Sequence, residues 1–360
     1  MRVVQVLPEF YRGDAIGNDT RAIRDILREA GYDTMIYALK ADPRLPVEEW
    51  REVSEMPALA EEDILIYHAS VGSELNARLP SFGGKKVMVY HNITPGQFYY
   101  RYSLQAENAS RKGYAEIRAL AGKMDYCIAV SEYNKEELRK MGYTCPIDVC
   151  PILIPFADYD REPDEAFLRK YRDGKKNWLF VGRVAPNKKA EDVIRAFAVY
   201  HREYEPESRL LLIGSTGSVK LYDRALENYI RALGLEDAVV MPGHVSFAEI
   251  LASYRAADVF VCMSEHEGFC VPLVEAMYFG VPIVAYASSA IPETLGKGGL
   301  LLQEKDPELT AVAVNKVLTD EKLRGALVQA GKERLKDFSY ETVKEQFLNC
   351  LEKANSVHNS

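Results

Sequence analysis

Apolar residues along the chain fall into short runs separated by polar segments of helical period. The first half carries such runs at VVQVL (3–7), TMIYAL (34–39), ILIYH (64–68), KVMVYH (86–91), CIAV (127–130) and IDVC (147–150). The second half has WLFVG (178–182), RLLLIG (209–214), AVVM (238–241), VFVCM (259–263), PIVAY (282–286) and LLL (300–302). Their length and β-branched content predict strands. Apolar spacing of three and four predicts helices over 20–30, 135–141, 190–204, 222–233, 247–256 and 272–279. Strand alternating with helix predicts two parallel sheets, six strands in each half, with helices on both faces.

The join falls in ADYDREPDEAFLRKYRDGKKN (157–177), which is rich in charge and poor in large aliphatics and holds room for one short helix. The tail, FSYETVKEQFLNCLEKA (338–354), opens on Ser339 as an N-cap. Val343, Phe347 and Leu351 then recur every four residues, a stripe that must pack on something.

Composition narrows the class. A chain of 360 residues exceeds what one core usually organises, which agrees with two domains. A net charge of -8 argues against a general nucleic-acid binder, because phosphate contacts need clustered Lys and Arg. The six cysteines form no C-x-x-C pair, and Cys127, Cys150 and Cys262 lie in or beside the apolar runs. Buried free thiols in a reducing compartment fit that pattern. The N-terminus reads as a first strand rather than a signal peptide, and no run of about 18 apolar residues occurs. A cytoplasmic protein is the expectation.

In open parallel sheets ligands bind beyond the carboxyl ends of the strands, so the loops that follow strands hold the chemistry. SEHEGFCVPLVEAMYFGVP (264–282) places Glu267 in a turn and Glu275 inside the expected helix, with Gly268, Phe269 and Pro272 between. Proline suits a helix's first turn, and free N–H groups there attract an anion. Carboxylates only accept hydrogen bonds, so the pair suits a ligand rich in hydroxyls. FVGRVAPNKKAEDVI (180–194) sets Arg183 and Lys188 where two cations can clamp a diphosphate. LIGSTGS (212–218) and MPGHVSFAEI (241–250) end strands with Gly214 and Gly243, which permit close backbone approach. In the first half, YRGDAIGND (11–19) carries Gly13 and Gly17, and YHNITPGQFYYRY (90–102) carries His91 followed by Phe98, Tyr99, Tyr100 and Tyr102. A strand-end histidine is either structural or a site residue, and the aromatics are either core or a stacking surface for an acceptor.

Glu267 and Glu275, with seven residues between them, resemble the E-x7-E motif of retaining GT-B glycosyltransferases, family 4 (GT4, glycosyl transferases group 1). G-R-V-A-P-N-K-K (182–189), G-H-V-S (243–246) and I-P-E-T-L-G (291–296) extend the resemblance over most of the second half. It implies an α/β GT-B fold, two Rossmann-like doubly wound domains facing across a cleft. Residues 1–158 would be the acceptor-binding domain, joined by a C-terminal helix over 338–360, and 159–337 the nucleotide-sugar-binding domain.

The resemblance also implies roles. Arg183 and Lys188 would bind the donor diphosphate, Glu275 the ribose and Glu267 the sugar hydroxyls. The backbone of Gly268, Phe269 and Cys270 would contact the sugar, and the segment at Val245 the base. Gly17 and Gly214 would line the donor site, and His91 the region of the transferred sugar. Catalysis would fall to Glu267, His91, Arg183 and Lys188. Departures from the family pattern occur at Gly17, in a loop that reads G-D-A-I-G rather than G-G, at Lys189 where a glycine is common, and at Cys270.

The implied reaction moves a hexose from a UDP- or GDP-sugar donor to a glycan or lipid-linked sugar acceptor. It would retain configuration by front-face displacement, with no metal and no cofactor. The D-x-D at Asp158–Asp160 falls in the linker and reads as coincidence. No nucleic-acid partner is expected, and peripheral contact at the inner membrane face is left open. The alternatives are a nucleotide-sugar epimerase of the same fold and a nucleotide-sugar-binding protein without transfer activity. No G-x-G-x-x-G supports a dehydrogenase, and no P-loop supports a kinase.

Overall fold

The structure is a computed structural model and describes residues 1–11 and 13–357. Two compact units divide the chain: Met1–Gly96, Glu107–Pro155 and Asp337–Ser360 form the first, and Gln97–Ala106 with Phe156–Lys336 the second.

The first unit runs β1 (Val3–Phe10), α1 (Ala15–Glu29), β2 (Ile36–Ala41), β3 (Trp50–Glu52), β4 (Ile64–Ala69), α2 (Glu74–Arg78) and β5 (Lys85–Tyr90). It continues through α3 (Leu104–Ala119), whose first residues group with the second unit, then β6 (Tyr126–Ala129), α4 (Glu132–Lys140) and β7 (Ile147–Val149). The second unit holds α5 (Glu165–Tyr171), β8 (Lys176–Val181), α6 (Ala190–Glu203), β9 (Ser208–Ile213), α7 (Lys220–Ala232), β10 (Val239–Val240) and α8 (Phe247–Ala256). It ends with β11 (Val259–Cys262), α9 (Val271–Tyr278), β12 (Ile283–Tyr286), α10 (Ile291–Leu295), β13 (Leu300–Leu302), α11 (Pro307–Thr319) and α12 (Glu321–Arg334). The closing helix α13 (Tyr340–Ser356) returns to the first unit, and residues 358–360 of the expected helix lie outside the described residues.

Both sheets are parallel throughout, in the orders β3-β2-β1-β4-β5-β6-β7 and β10-β9-β8-β11-β12-β13. The first has seven strands, one more than the six expected, because Trp50–Glu52 is short and polar and leaves no apolar run to read. Strands covered on both faces need continuous apolar side chains, and β4, β9 and β11 are buried along their whole length. Three long helices escaped the pattern. Glu107 and Gly113 stand among the buried positions of α3, and of α12 only Gly331 is fully buried, so neither shows a clean stripe. The remaining one, α11, is capped by Asp306 with Pro307 in its first turn, a start signal that went unread.

Val343, Phe347 and Leu351 of α13 are buried in the first unit, with Ser339 capping the helix through the Thr342 N–H. Phe347→Ala therefore removes a ring that is 1% exposed, at a cost of about 3–5 kcal/mol. A urea titration should show an earlier unfolding transition, and an unchanged midpoint would mean that the stripe contributes little.

Candidate active site

In the second sheet the strand order reverses between β8 and β11, so the loops leaving these strands part toward opposite faces at the carboxyl edge. After β8, Gly182 takes φ 148 and Arg183 is exposed, with no ion pair among the described residues. Residues Pro186–Lys188 make one 3-10 turn, which ends at Lys189 in the left-handed region at φ 53. Lys189 stands where glycine would be relaxed, and its ammonium compensates by lying 3.3 Å from Glu265.

This turn is stitched to the loop after β11. The Glu265 N–H donates to the Asn187 carbonyl at 2.9 Å, and the buried Asn187 amide donates to the His266 carbonyl at 3.0 Å. The stitching delivers the Lys188 Nζ to both carboxylate oxygens of Glu267, at 2.6 and 2.5 Å. Burial works to lower the Lys188 ammonium, but the Glu267 charge and the neighbouring thiols outweigh it and hold it above its ordinary value. The loop after β12 closes the far side. The Glu267 N–H donates to Ser289 Oγ at 2.8 Å, Ser288 Oγ to the Ser264 carbonyl at 2.6 Å, and Thr294 Oγ1 to the Phe269 carbonyl at 2.6 Å. Outside this lies a second ionic layer, in which Lys305 Nζ sits 2.9 Å from both Asp192 and Glu265.

Gly268 is half-buried, while Phe269 and Cys270 are buried. Cys270, at φ 75, is the N-cap of α9, and Cys262 ends β11. Their two sulfurs and a Glu267 oxygen all lie within 4.8 Å of one another. The Cys262 sulfur and burial together push the Cys270 thiol up.

Glu275 sits on the second turn of α9, which starts at Val271, one residue before the expected start. One of its carboxylate oxygens accepts from Tyr159 at 3.0 Å and the other from Tyr254 at 2.7 Å. Burial raises its pKa, and the two phenols only partly offset that. At Gly214 a Cβ would lie 1.9 Å from the Gly182 carbonyl oxygen, so the loops after β8 and β9 approach this closely only because position 214 is glycine. Val245 is buried in the core cluster that also holds Tyr254. The aromatic loop does not make one surface: Tyr99 is core, Tyr100 is 72% exposed, and Tyr102 packs edge-on against Tyr222.

Two of the expected residues belong to the first unit. Gly17 lies in the first turn of α1, where a Cβ would meet the Tyr11 carbonyl oxygen at 2.1 Å. Its N–H donates to the N-cap Asp14, as does that of Ile16, so a side chain of the chain itself fills the anion position there. The His91 side chain is 2% exposed and stacks on His68, with His91 Nε2 3.0 Å from His68 Nδ1. His68 Nε2 meets Gln5 Oε1 at 2.9 Å, Asp19 Oδ2 lies 3.9 Å from His91 Nε2, and His91 Nδ1 has no partner among the described residues. Burial pushes His91 down to about 3 and Asp19 up to about 7.

Asn187, Lys305, Tyr159, Tyr254 and His68 are the site neighbours that sequence reasoning missed. The strand-end rule that singled out His91 would also have found His68 on β4 and Lys305 after β13. Nothing local marks Tyr159 or Tyr254, because their role depends on where α9 lies.

Residues 162–334 match the family model described as Glycosyl transferases group 1. The second unit is a glycosyl transferases group 1 domain. The chain is 28% identical over 228 residues to O-antigen chain mannosyltransferase B of Escherichia coli, covering 62% of this chain and 59% of that protein. It is 32% identical over 191 residues to D-inositol 3-phosphate glycosyltransferase of Kineococcus radiotolerans, covering 49% and 44%. The chain thus spans about half the length of the curated relatives it matches. Among solved structures, HepE of Anabaena in complex with UDP-glucose aligns with a TM-score of 0.74 at 16% identity, covering 98% of this chain and all of that one. WaaG, a glycosyltransferase involved in lipopolysaccharide biosynthesis, aligns with a TM-score of 0.69 at 16% identity over 99% of this chain and 100% of that one. The fold is GT-B. Every group that answers to the E-x7-E pattern and to the Arg/Lys loop lies inside the group 1 domain. Among the described residues no helix is long and apolar enough to cross a membrane.

The buried Asp19 makes a pH test of the first unit. Between 3.8 and about 7 the folded chain keeps a proton there that the unfolded chain has lost, so stability falls as pH rises through this window. Asp19→Asn removes that loss. Its advantage over wild type should grow from nothing near pH 4 to as much as about 4 kcal/mol above pH 7. Urea titrations at pH 4, 6 and 8 read it, and a difference independent of pH would remove the buried charge from the argument.

Proposed function

We propose that the chain is a retaining hexosyltransferase. It takes a hexose from a UDP- or GDP-sugar held by residues 159–337 and passes it to a glycan or lipid-linked sugar bound by residues 1–158. The observation that carries this reading is the buried Lys188–Glu267 pair at the carboxyl edge of the second sheet, with the exposed guanidinium of Arg183, unpaired among the described residues, on the same loop. A donor diphosphate supplies what that edge lacks, an anion for Arg183 and a second partner for Lys188. Departure of the diphosphate concentrates negative charge, and preorganised cations stabilise it without a metal ion. Glu267 then accepts from sugar hydroxyls with the lone pairs that Lys188 leaves free.

Glu275 supports the same reading. A carboxylate offers about four acceptor sites, and Tyr159 and Tyr254 use two while fixing its orientation. The remaining two suit the vicinal hydroxyls of a ribose. Relatives named as mannosyltransferase and glycosyltransferase, and a neighbour solved with UDP-glucose, agree in reaction class and donor type. His91 lines the region of the transferred sugar, where its Nδ1, without a partner among the described residues, is available to a hydroxyl. We place the enzyme in the cytoplasm, at the inner membrane face when the acceptor is lipid-linked.

Thermal-shift measurements with UDP, GDP, ADP and NADH should single out UDP or GDP, and product analysis with the matching nucleotide sugar should show a glycoside. An isomerised donor without acceptor would instead establish an epimerase, and binding without product a sugar-binding protein. Arg183→Ala should lower kcat by about 10²–10³-fold with an unchanged melting temperature, since the side chain is exposed. Full activity in that variant would take Arg183 out of the site. Glu275→Ala should weaken nucleotide binding by roughly 1.5–3 kcal/mol in calorimetry, as expected for hydrogen bonds to a charged group. Unchanged affinity would take Glu275 out of the ribose site.

A further inference from the structure

We propose that Cys262, Cys270 and Glu267 form a site for a thiophilic divalent cation, zinc(II) above others, and that its occupation switches the group 1 domain off. The two sulfurs and the carboxylate oxygen lie within 4.8 Å of one another. Zinc bound to sulfur at about 2.3 Å and oxygen at about 2.0–2.2 Å sets tetrahedral ligands roughly 3.5–3.8 Å apart, so small side-chain rotations suffice. The backbone already brings the ligands together. Cys262 ends β11, and the left-handed φ of 75 at Cys270 folds the loop back so that both thiols face the Glu267 carboxylate.

Charge balance favours occupation. Counted with both cysteines as thiols, the metal-free set sums to zero, because the Glu267 carboxylate and the Lys188 ammonium cancel. Binding follows Cys262–SH + Cys270–SH + Zn²⁺ → Zn(Sγ)₂ + 2H⁺, with no change of oxidation state. Two thiolates and one carboxylate then face one Zn²⁺ and one ammonium, again summing to zero. The buried site therefore takes up a dication without gaining net charge, which removes the main electrostatic cost of burying one. Lys188 reaches both oxygens of Glu267, so it keeps one when the metal takes the other.

Thiolate ligands select zinc over magnesium or calcium. Among the described residues, Cys127 and Cys145 lie 3.6 Å apart without a third such ligand, and Asp19, His68 and His91 offer only nitrogen and oxygen. The inhibitory consequence rests on the transferase reading, because it follows from denying Glu267 to the donor sugar. The metal site itself does not.

The test uses the full chain, reduced and titrated with Co²⁺ as a coloured stand-in for zinc. One equivalent should raise a thiolate-to-cobalt charge-transfer band and release two protons, and Zn²⁺ should bleach the band. Cys262→Ser and Cys270→Ser should each abolish it, Cys127→Ser should keep it, and thermal melts establish that the variants fold. Glu267→Gln keeps both thiols and should retain the band with affinity weakened roughly 10–100-fold, at least what an outer-sphere partner costs. No band, or one that survives Cys262→Ser and Cys270→Ser or is lost in Cys127→Ser, overturns the proposal. Zinc should also suppress transfer, and a chelator should restore it. Active enzyme at saturating zinc would overturn the switch, whereas a chain that turns over no donor but shows the band would sink the transferase reading alone.

Discussion

The second unit is organised around one ion pair. Lys188 and Glu267 come from loops on opposite sides of the point where the strand order reverses, and their contact ties those loops together at the carboxyl edge. A pair this buried gains stability only if its remaining donors and acceptors are met. That condition explains the surrounding bonds. Asn187 aligns one loop, Ser288 and Ser289 hold the other, and Lys305 neutralises the acidic residues outside. Removing any of these loosens the geometry of a charge that has nowhere else to go.

A different principle governs the first unit. Around His91 the chain buries two neutral imidazoles, a carboxyl and a glutamine with little ionic pairing, and burial shifts all the titratable groups toward their uncharged forms. The second unit instead surrounds its charges with opposite charges.

Much of the fold was legible because parallel strands, buried on both faces, leave uninterrupted apolar runs. All twelve such runs correspond to strands, and the one strand without such a run, Trp50–Glu52, was missed. Helices were legible only where an apolar stripe stands out. Those of α1 and α7 do, whereas α3 and α12 bury small or charged residues and read as loop. In the candidate site, Arg183, Lys188 and Glu267 were visible because each lies in a loop that follows a strand, and Glu275 because it lies in the helix that such a loop leads into.

Sequence alone determined the strand content, the order of the site loops and the residue types at their tips, since these are local properties of pattern and spacing. It could not say that Lys188 and Glu267 hold each other, that Tyr159 and Tyr254 orient Glu275, or that two cysteines eight positions apart meet beside a carboxylate. The ion pair and the Tyr159 contact depend on distances between segments far apart in the chain, and the cysteine pair on how the loop after β11 turns back at Cys270. Parallel crossovers set such distances, and they exist only once the sheet has formed and its carboxyl edge has gathered the loops.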